Sequence, residues 1–194
     1  MTYKKISFLL IILLMVLAAC GNQQKEEHSS KQADQPASGT QDKHEAMQHM
    51  QHDESGKLPP NLKVAKDPKY KIGSPVVIKA DHMKGMKNAK GKIVGAFDTT
   101  AYVVSYQPTT GGEKVKNHKW VIQEEIKNAD DQELQPGKAV ILEADHMKGM
   151  KGAKATIESA EKTTVYMVDY QPTNGGKDVK NHKWVVEDEL SPRS

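Results

Sequence analysis

Histidine and methionine stand together three times in this chain. The first group is His44-Glu-Ala-Met47-Gln-His49-Met50-Gln-His52, the second Asp81-His82-Met83-Lys-Gly-Met86, and the third Asp145-His146-Met147-Lys-Gly-Met150. Imidazole binds either oxidation state of copper, and thioether is soft and favours Cu(I), so the pairing suits Cu(I), with Cu(II) as a second accepted state. Zinc prefers thiolate, imidazole or carboxylate, which makes thioether a poor choice for it. Two further histidines, His118 and His182, each sit in Asn-His-Lys-Trp. Trp120 and Trp184 therefore follow two residues later, on the same face of a strand. Either indole could be a core aromatic, or it could shield a bound Cu(I) by a cation–π contact. Methionine also fills gaps in small cores, so Met83, Met86, Met147 and Met150 have a plain packing role open to them. The metal reading gains weight because the same ligand set recurs in the unrelated segment 44–52. Asp81 and Asp145 directly precede His82 and His146 and are candidates to orient those imidazoles from behind.

The elements that position these residues come in two copies. The segment from Gly73 to Val121 aligns without a gap on Gly137 to Val185, at a constant offset of 64. About thirty of some fifty aligned positions are identical, which marks a duplication. Each copy reads as short strands. Pro75–Ala80 and Lys138–Glu143 come first, then Lys92–Ala96 and its counterpart around Ile157. In Thr99–Tyr106, Tyr102, Val104 and Tyr106 alternate with Ala101, Val103 and Ser105, and Tyr166, Val168 and Tyr170 repeat the pattern. A Gly-Gly turn and a strand over 118–122 follow. Short strands with Gly-rich turns predict an all-β fold of two tandem SH3-like barrels, with an OB-like barrel as the alternative. The boundaries expected are 61–131 and 132–194, joined by an acidic, amide-rich connector over 123–135. A single copy of this size is marginal alone, so the two should pack together.

Upstream, Lys4 and Lys5 precede an apolar run from Ile6 to Leu17 that is too short for an ordinary membrane span. Leu17-Ala18-Ala19-Cys20 then has the form of a lipobox, which predicts a signal peptide over 1–19 and a lipidated Cys20. The acyl chains would hold the protein on the outer face of a bacterial cytoplasmic membrane. Residues 20–60 are polar and nearly free of branched apolar side chains, the composition of a disordered tether. Cys20 is the single cysteine, which excludes an intramolecular disulfide or a cysteine-rich zinc site. The 28 basic and 25 acidic residues give a net charge of +3. Without Lys4 and Lys5 the balance is close to neutral, against a charge-driven nucleic-acid binder. No nucleophile triad, paired catalytic carboxylates or phosphate loop is evident, so the chain is not expected to be an enzyme.

The doubled Ala-Asp-His-Met-Lys-Gly-Met-Lys and Val-Lys-Asn-His-Lys-Trp-Val blocks, behind a lipobox and a His/Met-rich tether, resemble the YdhK family of bacterial lipoproteins. That family includes a copper-resistance lipoprotein, CopL. The resemblance implies an extracytoplasmic protein that sequesters copper, with a copper exporter or a multicopper oxidase as possible recipients of the metal. It carries the ligand role to His82, Met83, Met86, His146, Met147 and Met150, and less directly to His118 and His182. A different class also fits: a cell-envelope adhesion module that grips peptide or glycan through Tyr102, Tyr106, Trp120 and their copies. Exposed aromatics would favour that reading, buried ones would oppose it.

Overall fold

The computed structural model describes residues 53–193. The signal segment, Cys20, and the cluster His44, Met47, His49, Met50 and His52 lie outside the described residues. Among the described residues eight strands run in chain order: β1 (Lys63–Val64), β2 (Pro75–Ile78), β3 (Lys90–Tyr106), β4 (Val115–Ile122), β5 (Ala139–Ile141), β6 (Lys154–Gln171), β7 (Val179–Val186) and β8 (Leu190–Pro192). Short 3-10 turns at Gln123–Glu125 and Glu187–Glu189 follow β4 and β7. The described residues contain no α-helix, so the all-β expectation holds.

The organising feature is one long ladder. β3 and β6 have 17 and 18 residues and pair antiparallel from Lys90 opposite Gln171 to Tyr106 opposite Ala155. Thr99 faces Thr163, its own counterpart in the other copy, so a pseudo-twofold axis passes through this point. The strands expected at Lys92–Ala96 and Thr99–Tyr106 are therefore one. Only Phe97 and Asp98 lie between them, with no glycine or proline, and the extended backbone runs straight through; a strand this long spans roughly 55 Å.

A strand that cannot fold back on itself must divide its two halves between different cores. In the first core Ile78, Met86 and Ile93 of the first copy pack with Tyr166, Val168 and Leu190 of the second. In the other core Tyr102, Val104 and Val121 of the first copy pack with Leu142, Met150 and Ile157 of the second. A third cluster at the centre joins Phe97, Trp120 and Ile122 to Met167, Trp184 and Val186. The alternation read from Tyr102, Val104 and Tyr106 is correct, but the opposite face is buried too: Ala101, Val103 and Ser105 are all inside.

Two features depart from the sequence reading. The expected barrel does not close: hydrogen bonding follows the open order β5-β6-β3-β2-β8, with β1 and β4 added to β3 and β7 to β6. Nor does each copy enclose its own core. Each lobe combines the N-terminal half of one copy with the C-terminal half of the other, because β3 and β6 are uninterrupted. The connector after β4 is also part of the structure, since Ile126 bridges Leu142 and Leu134 is buried in the second core.

Candidate metal-binding site

The loop after β2 carries His82, Met83 and Met86. It closes as a tight turn, with the Met86 amide donating to the Met83 carbonyl at 3.0 Å. Gly85 sits at φ +81°, and a Cβ there would lie 2.7 Å from Asn174 Oδ1 of the other copy. Only glycine meets both demands. The Thr173 amide bonds the Gly85 carbonyl at 2.9 Å, so the loop of one copy is pinned by a turn of the other. The second copy repeats this: Met150 donates to Met147 at 3.1 Å, Thr109 donates to Gly149 at 2.9 Å, and a Cβ on Gly149 would lie 2.5 Å from Thr110 Oγ1.

His118 and His182 are placed by irregular strands. Asn117 and Asn181 have φ of 52° and 50°, the left-handed region that asparagine tolerates better than most residues. Their amides leave the ladder and donate to Ser105 Oγ at 3.1 Å and to Asp169 Oδ1 at 2.9 Å. The register of β4 on β3, and of β7 on β6, shifts on both sides of the histidine. Such a bulge re-aims the side chain that follows it. The Lys119–Trp120 and Lys183–Trp184 peptide bonds are cis.

The structure brings histidines together across the copies. The His82 and His182 rings are 6.4 Å apart between centroids, and those of His118 and His146 are 6.3 Å apart. His82 and His118, expected to meet within one copy, sit in different pairs. Tyr170 stacks edge-on to His182 at 5.8 Å, and its hydroxyl reaches the Met83 sulfur at 3.9 Å. Tyr106 holds the equivalent edge-on position to His118 at 5.8 Å. Burial pushes the Tyr170 phenol up to about 12, with the charge of Glu54 adding to the effect.

A carboxylate from the opposite copy fixes one nitrogen of each loop histidine. His82 Nε2 lies 2.8 Å from Glu189 Oε1, while Glu189 Oε2 accepts from the Trp120 indole at 2.9 Å. His146 Nε2 lies 2.6 Å from Glu125 Oε1, and Glu125 Oε2 accepts from the Trp184 indole at 3.1 Å. Because a carboxylate only accepts, Nε2 must carry the proton in both histidines. Nδ1 of each is buried without a hydrogen-bond partner. Burial alone would raise the Glu189 carboxyl, but the bonds from His82, Trp120 and the Val186 amide outweigh it and hold it below the ordinary glutamate value.

Other expected residues take different places. Asp81 and Asp145 are exposed, and the orienting carboxylates are Glu189 and Glu125 instead. Those two glutamates stand five residues after Trp120 and Trp184, at the same offset of 64, so the duplication itself marked them. Met86 and Met150 are wholly buried in the two lobe cores, whereas Met83 and Met147 are partly exposed on the same loops. Trp120 and Trp184 belong to the central cluster, each with its ring edge-on to a histidine at 6.5 Å. Tyr102, Tyr106, Trp120 and their copies are all buried and form no exposed aromatic platform. Among the described residues, no three His, Cys, Asp or Glu side chains group closely enough to hold a metal by themselves.

A family model described as "Protein of unknown function (DUF1541)" matches residues 72–123 and 136–187, the two copies. The chain is 64% identical over 146 residues to the "Uncharacterized protein YdhK" of Bacillus subtilis (strain 168), covering 75% of this chain and 71% of that protein. A crystal structure of the DUF1541 protein YdhK from Bacillus subtilis superposes with a TM-score of 0.70 at 66% identity, covering 71% of this chain and 93% of that one. A solution structure of the YdhK C-terminal domain gives 0.61 at 69% identity, covering 63% and 93%.

Proposed function

The chain belongs to the DUF1541 family, and from that premise we propose that it is a copper-binding lipoprotein on the outer face of the cytoplasmic membrane, acting by sequestration rather than by catalysis. The observation that carries this reading is the two cross-copy histidine pairs, in each of which the loop histidine, His82 or His146, keeps a buried Nδ1 without a hydrogen-bond partner. Two imidazoles sharing one ion, with each nitrogen about 2 Å from it, have ring centroids roughly 6 Å apart. The observed separations of 6.4 and 6.3 Å lie at the long, near-linear end of that geometry, so a third ligand would draw the rings slightly closer. With Nε2 committed to glutamate, His82 and His146 would present Nδ1 to the metal, the arrangement in which a carboxylate raises the basicity of a ligating imidazole. Met83 would add a thioether to the first pair and Met147 to the second. Two or three soft donors of this kind suit Cu(I).

Each folded unit would then hold two copper ions, and His44, Met47, His49, Met50 and His52 would add capacity in the tether. Cys20 would anchor the whole to membrane lipid. Metal could be kept or passed to an exporter or oxidase, and several independent sites favour capacity.

Cu(I) titration against a competing chelator tests this through stoichiometry. The pairing His82/His182 and His118/His146 predicts that the double variant His82→Ala/His182→Ala loses one equivalent. The double variant His82→Ala/His118→Ala, with the same number of histidines removed, should lose both. Equal losses in the two variants, or none, would refute the assignment.

A further inference from the structure

The two copies are identical in sequence around their histidines but not in burial. His146 and His182, both of the second copy, are 2% and 3% exposed, whereas the matching His82 and His118 are each partly exposed. Each cross-copy pair therefore contains one covered and one more open imidazole. A segment with no counterpart in the duplication, Asp53–Lys57, is bonded to the backbone of His146 and to both chain neighbours of His182.

This strap is held at several points. The Asp53 amide donates to the His146 carbonyl at 3.1 Å. Its carboxylate takes the Lys183 ammonium at 2.9 Å, and the same ammonium donates to the Lys57 carbonyl at 2.9 Å. The Asn181 side-chain amide donates to the Glu54 carbonyl at 2.9 Å. Gly56, at φ +67°, lets the backbone come so close that a Cβ would lie 3.0 Å from the Asn181 side chain. The strap thus touches His146 itself and both chain neighbours of His182.

Lys183 shows what the strap changes. Its side chain is 5% exposed, while Lys119, the matching residue in the first copy, is 44% exposed and lies 3.8 Å from Glu189. By the pseudo-twofold axis Lys183 would extend towards Glu125. It is drawn under the strap instead.

We propose that Asp53–Lys57 is a single lid over both histidine pairs, latched by Lys183, and that its opening sets the rate at which both sites exchange metal. This rests on the copper reading above for its cargo, but the lid can be tested without metal. Exposed loops held by a few polar contacts open locally far more often than the packed cores beneath them.

The test follows carbethoxylation of each histidine in the metal-free full-length chain, resolved by mass spectrometry. Asp53→Ala removes the ionic latch, and Gly56→Val forces the strap off Asn181 without touching that ion pair. Both variants should raise the rates at His146 and His182 about fivefold or more, and leave His82 and His118 unchanged. Unchanged rates at His146 and His182 would overturn the lid. So would a parallel rise at all four histidines, which reports general loosening. In Cu(I)-loaded chain, the same variants should release metal to a chelator faster with undiminished capacity. A wild-type chain that binds no Cu(I) would sink the copper reading and the metal-exchange role, while the carbethoxylation rates still decide whether the strap is a lid.

Discussion

Nε2 of His82 lies 2.8 Å from Oε1 of Glu189, a residue 107 positions further along the chain and in the other copy. The second oxygen of that carboxylate is taken by Trp120 of the first copy, so three side chains from two copies form one relay. The relay fixes the tautomer of His82 and leaves Nδ1 as its available nitrogen. His146, Glu125 and Trp184 repeat it under deeper burial.

Replacing Glu125 by alanine leaves a buried imidazole and a buried indole N–H without their acceptor. Losing one partner of such an arrangement costs about 2–4 kcal/mol. Glu189→Ala removes the same bonds from a site closer to solvent, where water can substitute, and should cost less. Urea unfolding of both variants checks the order, which is predicted to be Glu125→Ala the more destabilised.

The four loop methionines should separate into two behaviours. Met86→Ala and Met150→Ala each open a cavity in a lobe core and should cost about 2–5 kcal/mol of stability. Met83→Leu and Met147→Leu should leave the unfolding midpoint nearly unchanged and weaken Cu(I) binding about tenfold, the loss of roughly 1.4 kcal/mol of ligation. Chelator competition and urea unfolding on the same four proteins check the division. Loss of Cu(I) affinity in a stably folded Met86→Leu chain would contradict it.

Alkaline unfolding should be driven by buried tyrosine. Burial raises Tyr102, Tyr106, Tyr166 and Tyr170 above the ordinary phenol value, Tyr170 to about 12. A raised value in the folded state means that stability is whole below about pH 10 and falls as pH climbs towards 12, where the unfolded chain ionises first. Tyrosinate absorbance and β-sheet circular dichroism should therefore change together in a cooperative step above pH 10. Gradual tyrosinate formation with the sheet intact would argue against it.

An isolated copy should not form a stable monomer. Residues 61–131 alone would present half of each core, with β3 lacking its long partner along its whole length. The fragment is expected to be unfolded or to dimerise by the same exchange, and mixing it with 132–194 should restore the sheet. Size-exclusion chromatography and circular dichroism of the fragments, separate and mixed, give the answer.

Much of the fold is legible in the sequence. Residue alternation located the strands, the offset of 64 located the copies, and Asp-His-Met-x-x-Met located the loops that carry His82 and His146. The glutamates were visible only as repeated residues after each tryptophan, with nothing local to connect them to a histidine. Asp81 and Asp145 were nearer in sequence and chemically suitable, but the loop leaves both carboxylates exposed to solvent while each histidine turns inward to a glutamate of the other copy.

The sequence by itself determined the element types, the duplication and the candidate histidines and methionines, because those follow from local periodicity and residue chemistry. It could not determine which copy of each residue would meet which. Matching residues in the two copies offer similar partners, so His82 could meet His118 or His182 with no change in composition or pattern. The tertiary structure decided it through β3 and β6: each is too long and too uninterrupted to turn back, so each lobe is completed by the other copy. The histidine pairs, their glutamates and the strap over them all follow from that one choice.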